Sequence, residues 1–297
     1  RCTMTRAMRK RLKRVPSYIG YVLIICFCFV FIYPFLLILV SSFTENIELQ
    51  GNGYSLFPDH LSLEGYSYIF RVSDLFLRSL LNSVGIACVS VLLSVSVSLL
   101  TAYVLSKKYL PGVKFFTALF LITMFFSGGT IPGYLIIRMI GIYDTYWALI
   151  LPSVCSTFYI ILIRSYFYSL PAALEEAAKI DGANDFQILV SIFLPLSVPI
   201  VATISFFVLV DRWNSWMDAL LYLRPGDTSK WPIQYVVRQM LDDMQSLMGG
   251  NTTSSELIPV LSAQCAGTII AIAPLVVSFP FLQKFFLRGI MLGSVKG

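Results

Sequence analysis

Six times along this chain, twenty or more mostly apolar residues follow one another, over about 16–43, 80–105, 115–140, 146–168, 188–222 and 259–286. A helix crossing a hydrocarbon core about 30 Å thick needs roughly 20 such residues. Inside that core no water can satisfy a free N–H or C=O, so each run must close its hydrogen bonds within itself. Composition agrees: 57% of residues are hydrophobic, 13% are charged, and the mean hydropathy is +0.77. The expected architecture is an all-α integral membrane protein with six transmembrane helices, forming one domain over residues 16–288. A basic tail (1–15) precedes it, a short tail (289–297) follows, and no stretch reads as a separate soluble domain.

The cations orient this bundle. Arg1, Arg6, Arg9, Lys10, Arg11, Lys13 and Arg14 stand before the first run with no acid among them. A nucleic-acid arm has such a composition, but beside a spanning helix the cytoplasmic preference of juxtamembrane cations is the better account. With the amino terminus inside, fifteen Lys and Arg fall in inside segments and six in outside segments, Arg212 lying within a span. Both termini are therefore expected in the cytoplasm; lipid is an expected partner and nucleic acid is not. The first run is too long for a signal-peptide core and lacks a clear small-residue cleavage site, so it is expected to stay as a span. Cys26, Cys28, Cys88, Cys155 and Cys265 sit in apolar runs without C-x-x-C spacing and read as packing residues, with no metal site expected.

Two outer connections, 44–78 and 223–258, are long and turn-rich, and the second is expected to hold a short helix near 233–244. Asn251-Thr252-Thr253 matches a glycosylation acceptor only weakly. Several spans are interrupted: the third by Ser127-Gly128-Gly129-Thr130-Ile131-Pro132-Gly133, the fifth by Pro195 and Pro199, the sixth by Pro274 and Pro280. Such breaks survive only where protein or a wet cavity satisfies the freed backbone groups. The break in the third span suggests a pathway wall, with Ser127, Gly128 and Gly129 as candidate lining, whereas Pro274 and Pro280 read equally well as ordinary kinks.

Between the fourth and fifth spans lies a polar segment, 169–190, of unusual character. Pro171 can open a helix, since the N–H it lacks would be unused in the first turn. Ala173/Leu174, Ala177/Ala178 and Asp181 recur at helical spacing, with Glu175, Glu176 and Lys179 facing elsewhere. Asp181-Gly182 then makes a turn, and Asn184 or Asp185 can cap a second short helix. The alanines and glycine let another backbone approach, and the carboxylates can bond an arginine across the gap. An amphipathic helix resting on lipid would want cations and bulky apolar residues instead.

The pattern E-A-A-x3-G-x9-I-x-L-P, running from Glu176 to Pro195, resembles the cytoplasmic coupling motif of binding-protein-dependent ABC importer permeases. The flanks Met124-Phe125-Phe126-Ser127-Gly128-Gly129, Trp147-Ala148-Leu149-Ile150-Leu151-Pro152, Trp213-Asn214-Ser215-Trp216 and the terminal Gly289-Ile290-Met291-Leu292-Gly293-Ser294 resemble its carbohydrate (maltose/oligosaccharide) class, nearest the LplC-like branch. The resemblance implies a type I importer permease fold in a bacterial cytoplasmic membrane. It also implies a second permease as heterodimer partner, two ATPase subunits and an extracytoplasmic sugar-binding protein. ATP and Mg would be held by the ATPase, because this chain has no phosphate-cradling G-x-x-x-x-G-K-[ST] loop and needs no cofactor of its own. By matching position, the ATPase-coupling residues would be Glu175, Glu176, Ala177, Ala178, Asp181, Gly182, Ile192, Leu194 and Pro195, with Glu176 pairing a cation on the ATPase and Gly182 making the turn. The tail 289–297 would reach toward the ATPase dimer.

A second constellation, Asp211, Arg212, Trp213, Asn214, Trp216 and Asp218, is expected in the outer half of the fifth span. Charged side chains in a span usually face a bundle interior or cavity, and indole faces beside polar groups suit a sugar. An interfacial aromatic belt with an Asp–Arg pair accounts for the same residues. Asn82, Ser83, Ser90, Ser94, Ser96 and Ser98 could line a path or simply pack helices closely. His60, the one histidine, is expected to be solvated. An ion-driven secondary transporter would want several intramembrane carboxylates or an inverted repeat, and Asp211 is the one clear case. An intramembrane enzyme would need a nucleophile–base or metal cluster, and none is present in the sequence.

Overall fold

Backbone groups that cannot reach water must pair locally, and the apolar runs duly fold as helices. The computed structural model describes residues 6–71, 74–107, 109–249 and 260–293. In chain order the helices are α1 (Arg6–Ser41), α2 (Asn46–Asn52), α3 (Glu64–Arg71), α4 (Asp74–Ser106), α5 (Val113–Phe125), α6 (Thr130–Met139), α7 (Tyr146–Ile150), α8 (Thr157–Ser169), α9 (Ala172–Ile180), α10 (Asp185–Ile188), α11 (Leu194–Leu196), α12 (Val198–Trp213), α13 (Trp216–Tyr222), α14 (Ile233–Gly249) and α15 (Val260–Gly293). A π-turn, Leu189–Phe193, joins α10 to α11. Residues 294–297 of the terminal tail, Arg1, and Asn251-Thr252-Thr253 lie outside the described residues.

Among the described residues, three helices are long and apolar enough to cross a membrane, over Gly20–Ser41, Asp74–Ser106 and Val260–Pro280. Three bent pairs make up to six: Val113–Phe125 with Thr130–Met139 (113°), Tyr146–Ser153 with Thr157–Ser169 (44°), and Asp185–Leu196 with Val198–Trp213 (81°). The third expected span is thus no straight crossing, and its break is shorter than the sequence suggested. Only 126–129 are non-helical, because Pro132 falls in the first turn of α6, where its missing N–H costs little. The fifth expected span is corrected more heavily. It bends sharply at Ser197, between Pro195 and Pro199, and α12 ends at Trp213, leaving α13 as a separate helix.

The chain divides into two compact units. In the first (Arg1–Val72, Asp243–Ile270), Thr44 and Leu61 form an isolated bridge, and the Glu48 carboxylate accepts the amides of Asp59 and His60, each at 2.9 Å. Asn46 accepts the Leu261 amide at 3.1 Å, and Gly65 lies so close to α15 that a Cβ there would come within 2.5 Å of the Ser262 backbone.

In the second unit (Ser73–Asp242, Ala271–Gly297), α4 is the axle, packed by α8 and α12. Ser79, Ser83, Ser90, Ser94 and Ser98 recur on one buried face of α4, which lets its neighbours come close, as small residues do in membrane bundles. One core gathers Val95, Ala102, Tyr103, Ile160, Ile163, Phe167, Ile188, Phe193, Ile204 and Val208 beneath α9. Another gathers Ile86, Ile137, Leu149, Ala219, Tyr222 and Tyr235 around α7 and α13. Near the latter, Asn82 donates to the carbonyls of Ser229 (3.0 Å) and Trp231 (3.1 Å), and Ser83 accepts the Ile233 amide at 2.8 Å. Asn82 and Ser83 thus hold the segment leading into α14.

Candidate functional site

The segment between α8 and α12 is built by local rules. Ala172–Ile180 reads AALEEAAKI, composed mostly of strong helix formers, with Glu175 in the first turn and Lys179 in the last, as the helix dipole favours. Pro171 is the residue before the helix, at φ −61°, rather than its first residue. The helix ends in a Schellman motif: Gly182 donates to the Lys179 carbonyl (3.1 Å) and Ala183 to the Ala178 carbonyl (2.9 Å). Gly182 has φ +83°, a conformation that costs any residue with a Cβ. Asn184 then caps α10 through a reciprocal capping box with Gln187, both bonds 2.9 Å.

Glu175 and Glu176, neighbours in sequence, have opposite fates. Glu175 turns inward, and its carboxylate lies 2.7 Å from the Lys107 ammonium and 2.7 Å from that of Lys179. Lys107 is only 4% exposed, and its Nζ stands 3.9 Å from the centre of the Tyr103 ring and 4.7 Å from that of Phe193. Those rings pack edge-to-face at 5.2 Å, and Phe167 joins them. Burial alone would raise the Glu175 carboxyl, but the bonds from Lys107 and Lys179 outweigh it and hold the group below its ordinary value. Burial pulls Lys107 below the usual lysine value while Glu175 pulls it back. Lys179 also reaches the Tyr109 hydroxyl at 3.3 Å. At the end of α4, Arg164 donates to the Leu105 carbonyl at 2.8 Å, satisfying a group that the helix leaves open.

Glu176, by contrast, is exposed, as are Ala177, Ile180, Asp181, Gly182 and Phe186. Ile180 is 86% exposed and Phe186 67%. Ala178 is buried, Ile192 and Leu194 are half-buried, and Pro195 stands at the bend. The surface that results interleaves the acidic Glu176 and Asp181 with the apolar Ile180 and Phe186, with the small Ala177 among them.

Of the second constellation, the charged members meet. The Arg212 guanidinium pairs with Asp211 (2.7 Å) and Asp218 (2.9 Å) and donates to the Leu149 carbonyl (3.2 Å). Asn214 donates to the Val210 carbonyl at 2.8 Å and closes α12. Trp216 is half-buried, with Arg238 5.1 Å from its ring centre. Trp213, expected to offer its ring to a sugar, is 3% exposed and donates its indole N–H to the Ala271 carbonyl at 3.0 Å. Its faces are enclosed by protein, and its partner Ala271 lies three residues before Pro274, within the continuous helix α15. Ser127, Gly128 and Gly129 are exposed, and Ser127 accepts the Gly129 amide at 3.2 Å. Among the described residues no hydrogen bond, ion pair or ring contact joins them to the Asp211–Asp218 group, and no three His, Cys, Asp or Glu residues are grouped as metal ligands.

Sequence reasoning missed Lys107, Tyr103, Tyr109 and Phe193. Lys107 stands beside Lys108 after an apolar run, with Lys114 a short way on, so it was indistinguishable from a solvated cytoplasmic cation.

No family model matches this chain. It is 39% identical to the polygalacturonan/rhamnogalacturonan transport system permease protein YtcP of Bacillus subtilis, over 98% of this chain and all of that protein. The chain belongs to the carbohydrate ABC transporter permeases. Protein LplC of Bacillus subtilis is 40% identical over 89% of each chain, which places this permease on the LplC-like branch. A chain of the crystal structure of a bacterial ABC transporter involved in import of the acidic polysaccharide alginate superposes with a TM-score of 0.83 at 29% identity, over 96% of this permease and all of that chain. This carbohydrate permease is a transport subunit and not an enzyme, and it resides in the bacterial cytoplasmic membrane.

Proposed function

We propose that this permease is the membrane subunit of an ATP-driven, binding-protein-dependent importer of sugars or oligosaccharides, and that α9 is the helix through which a separate ATPase drives it. The carrying observation is the division of labour between two adjacent glutamates. Glu175 is consumed inside the chain, whereas Glu176 heads an exposed surface running through Ala177, Ile180, Asp181 and Gly182 to Phe186. A carboxylate facing away from its own fold beside backbone made approachable by alanines suits an arginine on a partner.

In this reading the chain crosses the membrane six times with both termini in the cytoplasm, each bent pair counting once. It pairs with a second permease, two ATPase subunits that hold ATP and Mg, and an extracytoplasmic sugar-binding protein; the tail 289–297 reaches toward the ATPases. Closure of the ATPases on ATP pushes α9 and its counterpart, and the two permeases rock between inward- and outward-facing states. The docked binding protein must prefer the outward-facing state, since a ligand shifts an equilibrium only by its differential affinity. Asp211, Asn214, Trp216 and Asp218, with Ser127, Gly128 and Gly129, remain the candidate lining of the pathway. Trp213 contributes by packing behind them.

Reversing the exposed charge with Glu176→Lys should abolish most sugar-stimulated ATP hydrolysis in the reconstituted complex while the chain still inserts. Stimulation equal to the parent's would overturn the assignment of α9.

A further inference from the structure

We propose that Lys107 is a positioning residue for coupling: a buried ammonium that fastens α9 to α4 and to the π-turn, so that a push on the exposed face of α9 moves all three together. The inference rests on reading α9 as the ATPase-driven helix and adds how its motion is passed on.

Stripping an ammonium of its water costs several kcal/mol, and the cost is recovered only with close, well-placed partners. Lys107 has them from three directions. Glu175 of α9 lies 2.7 Å from its nitrogen, the Tyr103 ring of α4 has its centre at 3.9 Å, and the Phe193 ring of the π-turn at 4.7 Å. Aromatic faces attract a desolvated cation, so one charge is held by three separate segments. Asp185 and Lys179 also act on it, the first favouring its charge and the second opposing it. The alternative partner of Glu175 cannot do the same work, because Lys179 sits one turn along α9 itself and is 41% exposed. Apart from that intrahelical pair, the polar contact this cluster gives α9 beyond Lys107 is the Lys179–Tyr109 bond at 3.3 Å.

Without the buried ammonium, α9 could yield to the ATPase by swivelling about Pro171 and Gly182, and ATP would be spent without moving the spans. With it, Phe193 carries the displacement to the bend at Ser197, where α12 begins.

The test uses the full complex, with its second permease, ATPases and binding protein, in proteoliposomes. The readout is sugar transported per ATP hydrolysed, alongside recovery of the ATPases with the permease. Lys107→Met and Glu175→Gln should each lower that ratio by about fivefold, the lower end of measured couplings between sites. The ATPases should still co-purify. The double variant should be no worse than either single one, as for two members of one interaction, and Lys107→Arg, which keeps the charge, should restore part of the ratio. An unchanged ratio in Glu175→Gln, or single losses that multiply in the double, overturns the proposal. Glu175→Gln keeps the side chain's shape and decides the matter if Lys107→Met fails to accumulate. Glu176→Lys separates the two levels. If it uncouples while Glu175→Gln does not, only the Lys107 role falls; if neither uncouples, the assignment of α9 falls with it.

Discussion

Gly182 shows how much one residue without a Cβ decides. At φ +83° it ends α9, and the space around it is open, so a substitution there meets backbone strain and not a clash. Gly182→Val should cost about 1–2 kcal/mol, with Gly182→Asn milder because asparagine tolerates the left-handed region. Thermal unfolding of the purified complex, run beside sugar-stimulated ATP hydrolysis, should rank the three residues Gly, Asn, Val on both counts. Glu48 makes a pH-dependent case. The amides of Asp59 and then His60 hold its carboxyl below the ordinary 4.5. A depressed acid stabilises the fold above its unfolded value and loses that contribution as the pH falls through the folded one. Hydrogen exchange, corrected for intrinsic rates, should therefore show the Asp59 and His60 amides protected at neutral pH and progressively freed below about 4.5. In Glu48→Gln the protection should be weak throughout and independent of pH.

Among the elements, α9 and α10 were legible because their determinants are local: proline before the helix, glycine after it, and the Asn184–Gln187 box within four residues. The long helices were legible for the same reason, since a run of apolar residues carries its own length. What escaped the sequence was non-local. Lys107 is buried only because α9 and the π-turn meet over it, and Trp213 is enclosed only because α15 passes beside α12. The outer end of the fifth span was misjudged where Asn214 takes back the Val210 carbonyl and stops α12 within the polar run Asp211–Asp218, short of the apolar residues that α13 carries on. Trp213 can be tested as a tie between α12 and α15. Trp213→Phe keeps most of the packing and should cost about 0.6 kcal/mol, the mean for side-chain hydrogen bonds measured in a membrane protein. Trp213→Ala should cost roughly 3–5 kcal/mol. Fluorescence-monitored unfolding in detergent should separate the two, while sugar affinity of the folded fraction stays at the parent value.

At the scale of the molecule, the asymmetry of cations set an orientation that the six-crossing proposal adopts. In a cysteine-free background, Asp181→Cys should react with a membrane-impermeant maleimide only from the cytoplasmic side, and Asp227→Cys only from outside. Labelling of both from one side would break the topology. Asp227 sits in a well-formed turn for this purpose: Ser229, then Lys230, hold its carboxyl down at about 2. The candidate pathway residues were legible only as composition: Trp213 proves enclosed, and among the described residues Ser127, Gly128 and Gly129 make no hydrogen bond, ion pair or ring contact with the Asp211–Asp218 group.

Since Glu175 faces its own scaffold and Glu176 faces away, the permease keeps its internal architecture and its external address in separate side chains. Ile180, Asp181 and Phe186 are exposed, so under the proposed coupling they could change to suit a different motor without disturbing the framework behind them. Under the proposed coupling, importers of this kind could share one engine, or take a private one, through changes at a few surface positions.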